Sequence, residues 1–199
     1  MKLPEIIGVA GTNASGKDTL ADLRLERQNV RKVSLSDILR VEATRRGLEH
    51  HRETLGLIGA EWSKQFGAAA LALMTLKEYQ DTKTEDATGI SIVSIRRIGE
   101  AQAIQEADGL VLWVDAEREE RYRRIQKASR DRIDDLVTFE EFCAQEDFEM
   151  HPVGDDPFLM NMAGIRDIAD IHLENNFVDT DSQKGEDQYR RYLADRFEI

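Results

Sequence analysis

One cysteine, Cys143, stands in 199 residues, which excludes an internal disulfide framework and fits a reducing compartment. Cys143 falls within a helical pattern and is read as a half-buried helix residue with no catalytic role. Only three prolines occur, and two lie in HPVGDDP, 151–157, marking a loop. Basic residues are outnumbered 27 to 39, and the net charge of −12 argues against a surface built to grip a nucleic-acid polymer. No stretch approaches the roughly 18 apolar residues needed to span a bilayer, and the apolar run in MKLPEIIGVAGT is too short for a secretory leader. These absences make a cytoplasmic protein without a membrane partner the expectation. No internal repeat is visible. The 41% hydrophobic content suffices for one ordinary core, so residues 1–199 are expected to form a single domain.

The most informative stretch is GTNASGKDT, Gly11 to Thr19, which satisfies the Walker A pattern G-x-x-x-x-G-K. In that pattern backbone amides and a lysine ammonium surround a polyphosphate, and the pattern has meaning only where a strand meets a helix. Ile6, Ile7, Val9 and Ala10 read as a strand buried on both faces, and Thr19-Leu20-Ala21-Asp22-Leu23 starts a helix. Gly11 and Gly16 allow tight turns and close approach, Asn13, Ala14 and Ser15 supply backbone, and Lys17 adds charge to the positive helix end. A nucleoside triphosphate is the expected ligand. Asp18 follows Lys17 where Ser or Thr is usual, which displaces the Mg²⁺-binding hydroxyl to Thr19 and makes Asp18 a second candidate for the metal shell.

Downstream, Arg31–Leu35 reads as a second strand, followed by a helix starting at Ser36-Asp37 and stopped by Gly47. Residues 52–66 and 67–80 carry apolar positions at helical spacing, the polar 81–89 reads as a surface loop, and Ile90, Ile92, Val93 and Ile95 give a third strand. A helix follows at Ile98–Ala107, then a buried strand at Gly109–Val114 and a helix from Asp115 to about Ala128. SRDRIDDL, 129–136, interrupts the periodicity, and Thr138 with Glu141 forms a capping box for a helix reaching Met150. Another helix to about Ile168, a strand at Ile171–Asn175 and a terminal helix finish the chain. This alternation predicts an α/β fold, a parallel sheet covered on both faces, with the ligand at the C-terminal edge of the strands.

Phosphoryl transfer requires positive charge around developing negative oxygens, so arginines at strand ends stand out. Asp37 and Arg40 lie one helical turn apart beyond the second strand, suited either to an acceptor or to a local capping ion pair. Arg96-Arg97 end the third strand ahead of Glu100. Arg121 and Arg124 share a helix face, with Arg130 and Arg132 beyond it. These can close over the triphosphate or pair with Glu117, Glu119 and Glu120 on a solvated face.

With GTNASGKDT, SLSDILR, IRRIGEA, the run RYRRI…SRDRIDD…FEEF and the C-terminal ADIHLENN in this order, the chain resembles the P-loop kinases grouped with dephospho-CoA kinase and the adenylate kinase-like (deoxy)nucleoside monophosphate kinases. The resemblance implies a three-layer αβα P-loop NTPase fold with strand order 2-3-1-4-5. It also implies an acceptor-binding helical segment at about 37–80 and a small helical lid at about 118–150. ATP would be the donor and Mg²⁺ the metal, held mostly by phosphates and water. Ser36, Asp37, Arg40, Arg96 and Glu100 would face a small phosphorylated acceptor. Lys17, Asp37, Arg96 and Arg130 would act in transfer, Arg121 and Arg124 would contact the nucleotide, and Asn175 or Asn176 would lie near the adenine. Dephospho-CoA is the alternative acceptor. One departure is Val93, at the position where many relatives place an aspartate three residues before the arginine, which keeps open a nucleotide-binding module weakened in catalysis. Asp115 follows an apolar run but precedes a helix, where it reads as a cap.

Overall fold

The computed structural model describes residues 1–127, 137–151, 154, 156–177 and 182–199. Five strands, β1 (Ile6–Gly11), β2 (Arg31–Ser34), β3 (Ile90–Val93), β4 (Leu110–Asp115) and β5 (Ile171–Glu174), form one parallel sheet in the order β2-β3-β1-β4-β5. Among the described residues the helices are α1 (Lys17–Gln28), α2 (Leu35–Arg45), α3 (Arg52–Phe66), α4 (Ala70–Thr82), α5 (Ile98–Glu106), α6 (Arg118–Lys127), α7 (Phe139–Met150), α8 (Met162–Ile168) and α9 (Ser182–Phe197). None is long and apolar enough to cross a membrane.

Side chains alternate between the two faces of a strand, so a central strand must be apolar at every position to bury both. Ile7, Val9, Val93, Leu112 and Val114 point to one layer, packed against Leu20 and Leu23 of α1 and Tyr189, Leu193 and Phe197 of α9. Ile6, Ala10, Ile90, Ile92, Val111 and Trp113 point the other way, into α2, α4, α5 and α8. The result is a three-layer αβα sandwich.

The boundaries follow from local backbone. Asn29 in the left-handed region (φ 52°) ends α1. The strand expected to run to Ile95 stops at Val93, because Ser94 also adopts a left-handed conformation (φ 64°) and turns the chain. Gly67 (φ 99°) closes α3, so the next helix begins at Ala70 rather than at Gly67. Thr138 and Glu141 form the capping box of α7. Because β1 pairs with β3 on one side and β4 on the other, the chain leaves the two sides of β1 in opposite directions, opening a crevice at the C-terminal edge.

Leu20 is fully buried beneath the loop that precedes its helix. Leu20→Ala is expected to cost about 2–5 kcal/mol in urea unfolding; a loss under about 1 kcal/mol would mean that α1 is not seated on the sheet as described.

Candidate functional site

Between β1 and α1 the backbone turns through left-handed conformations at Ala14 (φ 59°) and Gly16 (φ 85°). Three successive carbonyls of this turn are held from outside. Arg121 Nη1 donates to Asn13 O at 3.4 Å, Arg124 Nη1 to Ala14 O at 3.2 Å, and Asn175 Nδ2 to Ser15 O at 2.8 Å. A trans peptide directs its N–H opposite to its carbonyl, so the amides of Ala14 and Gly16 turn into the concavity while Ser15 N closes the turn on Thr12 O. Thr12 Oγ1 donates to Asp115 Oδ1 at 2.8 Å, pinning the loop to the end of β4. A Cβ on Gly16 would lie 2.4 Å from Asn175 Nδ2, and one on Gly11 only 2.1 Å from Val114 O. The twelve-residue α1 adds its positive end.

This loop forms one wall of a cleft of about 1040 Å³. Asn13, Ala14, Gly16, Lys17, Asp18 and Thr19 line it, together with Ser36, Asp37, Arg40, Arg96 and Glu100, and with Arg124 and Asn175. Arg40 is hydrogen bonded to Asp37 and, at 3.0 Å, to Ser36 Oγ, so the Asp37/Arg40 turn is both a local ion pair and a lining of the cleft. Asp18 lies 3.4 Å from Lys32 Nζ and 3.9 Å from Lys17 Nζ. Burial works to lower the Lys32 ammonium, but Asp22 and Asp18 outweigh it and raise the net value.

The remaining expected residues lie elsewhere. Arg121 is buried, its guanidinium engaged by Glu146, Ala116 O and Asn13 O, so it braces the loop from beneath rather than lining the cleft. Asn176 Oδ1 accepts Glu117 N at 3.1 Å at the start of α6. Ser15 is fully buried, and its Oγ has no hydrogen-bond partner among the described residues. Arg130 and Arg132 lie outside the described residues. Asp115 accepts Ala116 N and Thr12 Oγ1, so its carboxylate joins the loop to the turn before α6. Glu100 accepts Arg96 N at 2.8 Å and Arg97 N at 3.1 Å, capping α5; burial pushes its carboxyl above the usual range despite the Arg97 guanidinium. Val93 is wholly buried against α1.

Sequence reasoning did not find Glu149, Arg52, Lys32 or Ser94. Glu149, near the end of α7, takes Arg52 Nε on Oε1 at 2.8 Å and Arg96 Nη1 on Oε2 at 2.7 Å. Burial would raise its carboxyl, yet Arg96 and Arg52, with Lys17 beyond, hold it below the usual carboxylate range. Ser94 shares the cleft with Ser34 and Ser36, whose hydroxyls lie 3.3 and 3.4 Å from its own. No sequence signal marks Glu149, which meets its partners only through tertiary packing. A polar residue directly after a buried strand was the available signal for Ser94.

No family model matches the chain. It is 32% identical over 143 residues to a UPF0200 protein of Pyrobaculum aerophilum, covering 71% of this chain and 75% of that one. A UPF0200 protein of Methanothrix thermoacetophila is 33% identical over 132 residues, 65% of this chain and 68% of that one. Among solved structures, TT1252 from Thermus thermophilus superposes with a TM-score of 0.56 at 20% identity, covering 98% of both chains. Shikimate kinase from Bacteroides thetaiotaomicron gives 0.56 at 14% identity, covering 97% of this chain and 98% of that one. These likenesses show the fold alone, a five-stranded parallel sheet flanked by helices that is shared with shikimate kinase.

Gly16→Ala is expected to cost about 1–3 kcal/mol in urea unfolding, because alanine resists the left-handed conformation and its methyl displaces the Asn175 amide. Inorganic triphosphate binding, followed by calorimetry, should weaken with it; unchanged stability and binding would contradict the loop geometry.

Proposed function

The chain belongs to the UPF0200 family, and on that footing we propose that it is an ATP-dependent phosphotransferase that moves the γ-phosphoryl group to a small phosphorylated acceptor, foremost a (deoxy)nucleoside monophosphate. The observation that carries this reading is one cleft with a phosphate-type loop on one wall and Arg40, Arg52 and Arg96 on the facing one. Both partners of a phosphoryl transfer bring anions, and the site places cations at both ends.

In this reading Lys17 and the inward amides of Ala14 and Gly16 hold the donor β- and γ-phosphates. With the carbonyls of Asn13, Ala14 and Ser15 held from outside by Arg121, Arg124 and Asn175, the left-handed turns at Ala14 and Gly16 leave the amides of Ala14 and Gly16 for a ligand, which fits a polyphosphate. Thr19 and Asp18 are the protein oxygens nearest for Mg²⁺. Phosphate oxygens and water would complete the shell of such an ion. When bound, Mg²⁺ neutralises the β- and γ-oxygens. Arg40 and Arg96 orient the acceptor phosphate, whose oxygen forms the new bond to phosphorus as the bond to the β–γ bridging oxygen breaks. A dianionic phosphate acceptor has no proton to lose; for a hydroxyl acceptor Asp37 takes that proton. Arg124 and Asn175 flank the base end, and Arg130 is assigned to the transition-state charge.

A second reading, a nucleotide-binding module without turnover, is favoured by one observation, the buried apolar Val93 where a carboxylate was expected. ADP formation with a panel of nucleoside and deoxynucleoside monophosphates and dephospho-CoA, with and without Mg²⁺, separates the two. Acceptor- and Mg²⁺-dependent ADP release is expected, and Arg96→Ala should reduce it on the order of 100-fold while ATP affinity changes little. Silence across the panel would overturn the kinase and leave the binding module.

A further inference from the structure

Two guanidiniums on the acceptor wall are held by a carboxylate from the opposite side. Arg52 opens α3 and Arg96 follows β3, and both line the cleft. Glu149 reaches between them from α7, with its side chain only 11% exposed. Oε1 lies 2.8 Å from Arg52 Nε, and Oε2 lies 2.7 Å from Arg96 Nη1 and 3.2 Å from Arg52 Nη2. A planar fork accepting from two arginines is the geometry by which arginines recognise an oxyanion. One carboxylate brings a single negative charge to the two guanidiniums, where a phosphate monoester would bring close to two charges and three acceptor oxygens.

Glu149 has a companion. Glu146, three residues earlier and on the same face of α7, is gripped by Arg118 and Arg121, and Arg121 also touches Asn13 O of the loop. The helix is thus tied to the donor loop at Glu146 and to the acceptor arginines at Glu149. Only the second tie occupies a cation pair that opens on the cleft.

Resting on the kinase reading above, we propose that Arg52 and Arg96 form the seat of the acceptor's phosphate and that Glu149 is its resident stand-in. The incoming phosphate displaces the Glu149 carboxylate, which releases the C-terminal turn of α7 while Glu146 keeps the helix on the loop. Arg52 is thereby a specificity residue for a phosphorylated acceptor. Glu149 acts on the reaction through those arginines, by competing with the substrate anion. A carboxylate held by two guanidiniums is a poor proton acceptor, which argues against a general-base role for it.

The test is direct binding of inorganic phosphate by calorimetry, independent of turnover. Glu149→Gln keeps the shape and removes the competing charge, so it is expected to tighten phosphate binding at least about tenfold. Glu149→Gln combined with Arg52→Ala should lose that gain. Combined with Lys17→Ala, which removes the loop's own share of phosphate, the gain should persist. Unchanged or weaker binding in Glu149→Gln, a gain that survives Arg52→Ala, or one that vanishes with Lys17→Ala would overturn the proposal. Hydrogen exchange of the wild-type chain needs no variant. Saturating phosphate should speed exchange of the amides of 147–151, and unchanged or slowed exchange would equally overturn it. If the acceptor panel is silent while these outcomes hold, the kinase reading fails and the anion seat stands.

Discussion

The site depends on how the carbonyls of Asn13, Ala14 and Ser15 are held. A loop whose amides must face a ligand needs somewhere for its carbonyls to go, since buried backbone oxygens without partners are costly. Here α6 supplies Arg121 and Arg124, and the residue after β5 supplies Asn175. The left-handed turn at Gly16 becomes permanent only because the space where a Cβ would stand is taken by that same asparagine amide. The geometry of the loop is therefore set as much from 121–124 and 175 as from the motif itself. A residue chosen from sequence as a phosphate ligand, Arg121, does its work on the far side of the peptide planes.

Charge is distributed against the average of the molecule. A chain of net charge −12 gathers Lys17, Lys32, Arg40, Arg52, Arg96 and Arg124 along one cleft. Each is answered by a carboxylate or a backbone oxygen: Asp18 at Lys17, Asp18 and Asp22 at Lys32, Asp37 at Arg40, Glu149 at Arg52 and Arg96, and the Ala14 carbonyl at Arg124. Cations so close together would repel one another without these partners. The counter-ions of the site are therefore as informative as its cations.

Much of this was legible in the order of residues. Apolar runs revealed β1 and β4, and Ile90, Ile92 and Val93 revealed β3, because strands buried on both faces carry few polar side chains; helix-spaced residues gave α3, and a capping box the start of α7, nearly to the residue. Resemblance supplied the strand order, which the sheet shows. What sequence could not convey was the direction in which long side chains reach. Arg121, Arg124 and Arg96 looked alike as strand- and helix-end arginines, yet one braces the loop, one divides its fork between the loop and Asn175 O, and one is held by a glutamate 53 residues away. Glu149 and Arg52 were invisible for the same reason, since they meet across 97 residues of sequence. Ser94 stopped β3 two residues early through a backbone conformation that propensity for strand did not disclose.

The central claim is that the loop between β1 and α1, with Lys17, cradles a polyphosphate. Calorimetric titration of ATP into the wild-type chain and into Lys17→Met tests it most directly. One binding site in the wild type, weakened on the order of tenfold or more by removal of the ammonium, is the expected result. Absence of ATP binding by the wild type, or equal affinity in both proteins, would contradict it.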